Sequence, residues 1–429
     1  MVPDRRDRRV IESHRVASAA FLTAGVFGVV AFGWSLWVLW MGGSWWGPLH
    51  AFLAGGVVLA ISGAAQMFTV TWSAAPAPGR VVTAGQRWAV TVGVTSVLVG
   101  VSAGWIPVIG AGALLVMSGL VTLAVSLVAT VRRSLLRRFD LSARFYVLAL
   151  VAGTLGVGLG GLMAFGITGA WHSRIRMTHL HLNLIGLVGF TIVGTLPTLL
   201  PTIAHHKAVS GYEARWGWWL AVASTLVLAV GAVGGEAAVG VGTLLAGVSL
   251  VVVLLGVVGR LGRRGLVGRL PYLQVVTGCL WLAAWTVVDA GKLLSGANPE
   301  PFQGRTMAAV TAGIGQVLAG SLAYLVPVLV GPGPRLARNF DRTHRRAVLP
   351  LLAANGVGAG LVLGLAVPAT VCAGLWLLDF GYRMAGLERS VGDGPDDGQP
   401  RSSPGPRPLR ARRSLGPNPG SGSVGPEHG

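Results

Sequence analysis

The chain has 429 residues, of which 52% are hydrophobic and 11% charged, and its mean hydropathy is +0.66. Soluble domains use about 25% charged residues, so this composition excludes a water-soluble globular protein and leaves an integral membrane protein. The formal charge of +19 and the 65 glycines fit that class, since small residues let helices approach backbone to backbone in lipid.

Apolar runs able to cross a hydrocarbon core of about 30 Å follow one another along the chain. They predict transmembrane helices at 18–41, 48–71, 87–107, 109–131, 143–166, 178–204, 213–233, 236–258, 271–291, 305–330, 346–367 and 368–386. The expected fold class is therefore all-α integral membrane, with twelve helices in three pseudo-repeated groups of four. Residues 1–17 form a basic cytoplasmic N-terminus, 18–386 the membrane domain and 387–429 a tail. The first apolar run is about 24 residues, longer than the 7 to 15 of a cleaved signal. The tail is rich in Gly, Pro, Ser and Arg, cannot bury apolar surface and is expected to be disordered. Cys279 and Cys372 lie inside apolar runs and report no redox compartment.

The grouping rests on three related segments, HAFLAGGVVLAISG from His50, HLNLIGLVGFTIVG from His181 and MAAVTAGIGQVLAG from Met307. Gly63, Gly194 and Gly320 align at intervals of 131 and 126 residues, and Pro201 and Pro327 keep the second interval. With the N-terminus inside, 30 of the 34 basic residues fall in inner segments, and only Arg174, Arg176, Lys292 and Arg305 fall outside. That distribution obeys the positive-inside rule. It accounts for the net charge without nucleic acid and puts both termini in the cytoplasm. The expected partner of the inner arginines is the lipid bilayer with its anionic headgroups.

This topology starts His50, His179 and His181 at one depth on the outer face. An imidazole there can ligate haem iron, copper or zinc, or it can serve as an interfacial hydrogen-bonding group. His179 and His181 are two residues apart on a helix, about 200° around its axis, so they face different neighbours. His181 aligns with His50, and His179 aligns with Arg305. Arg174, Arg176 and Arg305 are candidates to hold an anionic group such as haem propionates through bidentate contacts, or are solvated loop residues. Lys292, three residues from Asp289, is placed to pair with it. His205 and His206 read as a solvated inner loop. No carboxylate is expected at the membrane midplane. The interior polar groups Gln66, Asn183, Thr191, Thr195, Gln316, Ser321 and Tyr324 either line a cavity or bond across helices. Pro197, Pro201 and Pro327 are expected to kink the sixth and tenth helices.

Twelve helices in three groups of four, with outer-end histidines on helices two and six, resemble subunit I of the haem-copper oxidases and the related NnrS proteins over roughly residues 16–386. The resemblance implies a bacterial cell membrane, haem and/or copper as cofactors, and a redox or copper-protein partner on the outer face. By resemblance His50 would be the haem ligand, with Met307 as a conceivable second axial ligand, and His181 a copper ligand with His179 beside it. The chain departs from that pattern in its seventh helix, YEARWGWWLAVASTLVLAVGAV, which has no histidine, and in its tenth, which opens with Arg305 and Met307. A dioxygen-reducing centre cannot be assembled without those ligands, so no such enzyme activity is expected. Three functions stand beside one another at this point. They are haem or copper binding for redox, nitric oxide or metal handling; transport of a small molecule or ion; and a non-catalytic role in membrane assembly.

Overall fold

A computed structural model describes residues 5–134, 140–207, 211–266, 269–296, 304–330 and 334–387. The expected disordered tail, apart from Leu387, lies outside the described residues, as do residues 1–4 of the N-terminus.

The described residues form helices and no strand. They are α1 (Arg5–Met41), α2 (Trp46–Ser73), α3 (Arg80–Ala103), α4 (Ile106–Arg132), α5 (Asp140–Ala164) and α6 (Gly169–Ile203). There follow α7 (Tyr212–Ala229), α8 (Gly231–Leu266), α9 (Leu270–Leu294), α10 (Gly304–Val330), α11 (Pro334–His344), α12 (Val348–Val362) and α13 (Ala366–Ala385). Eight are long and apolar enough to cross a membrane: α1 over Ile11–Met41, α2, α4, α5, α6, α8 over Gly231–Gly262, α9 and α10.

The predicted spans at 87–107, 213–233, 346–367 and 368–386 fall on α3, α7, α12 and α13, which do not reach that mark. Their sequences show why. Arg80 and Arg87 sit in the first turns of α3, Glu213 and Arg215 in the first turn of α7, and Asp379 and Arg383 in the last turns of α13. α12 has only 15 residues. It stops at Gly364, whose φ of +72° suits a glycine that ends a helix. α1 starts at Arg5, earlier than the predicted 18, and α11 is a helix where only a basic loop was predicted.

Large apolar side chains stand exposed on the outside of the bundle, among them Leu22 (75%), Leu114 (68%) and Leu378 (73%). In water such surface would aggregate, whereas in lipid it is the expected outer surface. Exposed tryptophans at helix ends, such as Trp40, Trp105, Trp171 and Trp216, suit membrane interfaces.

Helices that are neighbours in sequence are neighbours in space: α1 packs on α2, α3 on α4, α5 on α6, α7 on α8, α9 on α10 and α12 on α13. The three aligned glycines explain three of these contacts. A Cβ on Gly63 would stand 2.8 Å from Ala20 Cβ and 3.3 Å from Ala17 O, and one on Gly320 would stand 2.6 Å from Pro271 O. One on Gly194 would meet Phe145 and lie 3.3 Å from Ser142 O. In each case a glycine seats its helix against the preceding one, at its first turns for Gly194 and Gly320 and further along α1 for Gly63.

Each aligned segment also leaves α geometry at the same place. π-Helical turns cover Ala51–Val57 in α2, Leu182–Gly189 in α6 and Ala309–Gly315 in α10. A π turn widens the helix and disturbs its hydrogen-bond ladder. Nearby side chains supply part of what is lost, as Thr191 Oγ1 donates to Leu187 O (2.7 Å) and Gln316 Nε2 to Ala312 O (2.7 Å). α6 and α10 continue through Pro197, Pro201 and Pro327.

Interior polar groups are joined across helices. Ser62 Oγ donates to Gln86 Oε1 (2.7 Å), Thr277 Oγ1 to Gln316 Oε1 (2.9 Å) and Trp281 Nε1 to Asn355 Oδ1 (2.8 Å), while Tyr146 OH meets Thr195 Oγ1 (3.0 Å). Gln66 Nε2 also reaches Gln86 Oε1 (3.4 Å) and Gln316 Nε2 reaches Asn355 Oδ1 (3.5 Å), so Gln86 and Asn355 partner two residues the sequence singled out.

Candidate functional site

The histidines that open the aligned segments share one local geometry. His50 ends the first turn of α2, and its Nδ1–H donates to Trp46 O, four residues back, at 2.8 Å. His181 does the same to Met177 O at 2.8 Å. A carbonyl only accepts, so Nδ1 must carry the proton in both rings. The bond fixes each imidazole on its helix and directs Nε2 away from it. This is the backbone anchoring that metal-ligating histidines use.

Beyond that shared feature the two rings differ. His181 is 1% exposed, and its Nε2 lies 2.7 Å from Asp289 Oδ2 on α9. Its ring stacks on Trp285, one helical turn before Asp289, with centroids 5.7 Å apart. Trp285 Nε1 reaches Thr306 Oγ1 at the start of α10 (3.3 Å). Both nitrogens of His181 therefore face acceptors, Met177 O and the Asp289 carboxylate.

His50 is stacked on Trp46, with centroids 4.2 Å apart, and faces His179 of α6 across the bundle. The His50 and His179 ring centroids are 6.3 Å apart and their planes differ by 16°. His179 Nδ1–H donates to Gly156 O on α5 at 2.7 Å, so it too presents Nε2 as its lone pair. Asn183, one turn on, donates to His179 O (2.8 Å). Glycine at 160 leaves room for this ring, since a Cβ there would lie 2.8 Å from His179 Cε1. Both imidazoles are set among other side chains, yet each keeps part of its surface open.

The expected separation of His179 from His181 thus appears as different partners on different helices, one toward α5 and α2, the other toward α9. Met307 is half-buried and packs against the main apolar core, with its carbonyl accepting from Thr311 Oγ1 (2.8 Å). The arginines take separate places. Arg174 is exposed, lies 5.8 Å from the Trp171 ring and donates to Val233 O (3.5 Å) near the start of α8. Arg176 is exposed and Arg305 half-buried at the start of α10. Among the described residues no group of three or more His, Cys, Asp or Glu side chains comes together. Asp289 pairs with His181 rather than with Lys292 as the sequence spacing suggested, because the carboxylate points across to α6. Its signal was available: it is the one acidic residue of α9.

A second polar cluster lies at the opposite end. His344, at the end of α11, lies against Phe340 and Tyr324 and meets the hydroxyl of Thr343 at 2.9 Å, while its buried Nε2 has no hydrogen-bond partner. Burial, then the nearby Arg269 guanidinium, lowers its pKa to about 4, with His205 adding a smaller push. His205 is exposed, as expected of a solvated loop, and has a φ of +57°.

The donor set suits metals that take imidazole, whether copper or the iron of a haem. At this site the protein would contribute neutral nitrogen ligands and no charge. Among the described residues α7 has no histidine and α10 begins with Gly304, Arg305, Thr306, Met307 and Ala308, so neither helix adds an imidazole. No protein-family model matches the chain, and no curated protein matches it.

Proposed function

We propose that this chain is a twelve-span membrane protein of three four-helix units, similar to a haem-copper oxidase subunit I or an NnrS protein, that has lost the dioxygen-reducing centre. In this reading it holds haem or copper through imidazoles in its outer half for redox, nitric oxide or metal handling. The N- and C-termini face a bacterial cytoplasm, and a redox or copper-protein partner meets the outer face.

The observation that carries the reading is the recurrence of one local device. In all three aligned segments a glycine seats the helix on its predecessor, and π turns open one or two residues after His50, His181 and Met307. Such turns cluster at functional sites. In the first two segments they follow an imidazole whose Nδ1 is tied to its own helix.

The chain purified in detergent from cells supplied with haem and copper is expected to carry a chromophore or about one metal per chain. A colourless, metal-free protein from such cells would refute the reading. The assembly reading is favoured by a specific observation, the complete saturation of His181 by Met177 and Asp289, which is what a structural histidine shows. It expects no metal and no activity. The transport reading draws on Gln66, Asn183 and Gln316, each of which is bonded within the bundle. Uptake into proteoliposomes that depends on them would support it.

A further inference from the structure

We infer that His50 and His179 are the two trans imidazole ligands of a single metal centre held between α2 and α6, which deepens the metal-binding reading above and rests on it. Two metal–imidazole bonds of about 2.0 Å, with about 1.2 Å from each nitrogen to its ring centre, span about 6.4 Å, and the observed centroid separation is 6.3 Å. The planes lie within 16° of each other.

The tautomers agree with this. Both Nδ1 atoms are committed to carbonyl acceptors, Trp46 O and Gly156 O, so both Nε2 atoms carry lone pairs. Two neutral imidazoles with their centroids 6.3 Å apart thus each offer an Nε2 lone pair, the donor a cation between the rings needs. Gly160 leaves the space the second ring occupies, and Asn183 donates to the carbonyl of His179.

The donor count limits what the cation is. No third His, Cys, Asp or Glu joins the pair among the described residues, which excludes the four-ligand protein cage of structural zinc and the oxygen cages of calcium. What remains is a centre needing two nitrogens from the protein: copper(I) in two-coordination, or a haem iron whose other four ligands come from the porphyrin. Both share the chemistry of two trans neutral imidazoles. His181 sits at the equivalent position with the same Nδ1 anchor, but its Nε2 is taken by Asp289, so it is an internal control.

The test uses the full chain purified in detergent as wild type, His50→Asn, His179→Asn and His181→Asn. Asparagine can keep an N–H toward the same carbonyl while supplying no imidazole, and monodisperse gel filtration shows which variants fold. Copper(I) affinity is measured by competition with a chromogenic chelator, and haem by its absorption and electron paramagnetic resonance spectra. A single site for copper(I), or a haem with a bis-imidazole signature, lost about tenfold or more in both His50→Asn and His179→Asn but kept in His181→Asn, is the expected result. A metal kept in His179→Asn and lost in His50→Asn with Met307→Leu would overturn the pair while sparing the metal-binding reading. No metal in the wild type would overturn both.

Discussion

Replacing Gly320 with alanine probes the contact on which the packing of α10 against α9 depends. The new Cβ would lie 2.6 Å from Pro271 O and 3.1 Å from Gln274 Cβ and Val275 Cγ2. The nearest obstacle is backbone in the first turn of α9, which cannot swing aside as a side-chain tip can. Overpacking of this kind costs about 1–3 kcal/mol. Alanine returns up to about 1 kcal/mol of helix propensity over glycine, so the net expected loss is up to about 2 kcal/mol. Gly374 on α13 is the control, since nothing lies within 4 Å of a Cβ there. Gly374→Ala should be neutral or gain up to about 1 kcal/mol. The assay is the fraction of monodisperse protein remaining after a temperature series in detergent. Gly320→Ala should aggregate at a lower temperature than wild type and Gly374→Ala should not. Gly63→Ala and Gly194→Ala should follow Gly320→Ala, because they meet Ala20 and Phe145 in the same way. If Gly320→Ala matched or exceeded the wild type, the close helix approach would not exist in the membrane.

Asp289→Ala leaves the buried His181 ring without its cross-helix acceptor, and an unmade buried hydrogen bond costs about 1–3 kcal/mol; the same thermal assay should show a loss, and equal stability would remove the pair from the account. Arg383 is buried, pairs with Asp379, and donates to Arg342 O (3.1 Å), Arg345 O (2.8 Å) and Arg346 O (3.3 Å), capping the end of α11 where carbonyls lack partners. Arg383→Ala should speed amide hydrogen exchange across 334–347, and Arg383→Lys should not restore it because one ammonium cannot serve the same fork of acceptors. His344 has its pKa lowered from 6.5 to about 4, so an unfolded chain takes up a proton there before the folded one does. Stability should therefore fall as pH drops from about 6.5 to about 4, by about 1–3 kcal/mol, and His344→Gln should flatten that part of the pH profile.

Much of the architecture was legible because lipid enforces simple rules. Long apolar runs had to be helices, and the abundance of glycine fitted close packing, which Gly63, Gly194 and Gly320, aligned in the sequence as marks of a repeat, are seen to make. α11 was less legible, since PRLARNFDRTH reads by composition as a charged loop, and its helix is held by Arg383 from a distant part of the chain. The π turns were not legible at all, because a widened turn changes no residue type. Within the site, sequence could say that His179 and His181 point apart but not toward what. The pairing of His50 with His179 depends on how α2 and α6 are placed by α5, where Gly156 and Gly160 supply a carbonyl and room for the ring. A metal ligand expected by repeat alignment, His181, is the one bonded to a carboxylate, because alignment preserves position along the helix and not the neighbour across it.

X-ray absorption at the copper and iron edges, measured on the wild-type chain purified from cells supplied with haem and copper, tests the central claim most directly. The account expects a nitrogen shell at about 2.0 Å with the outer scattering of two imidazoles, alone for copper or together with porphyrin nitrogens for haem iron. A bound metal whose shell contains sulfur, carboxylate oxygen or a single imidazole would contradict it.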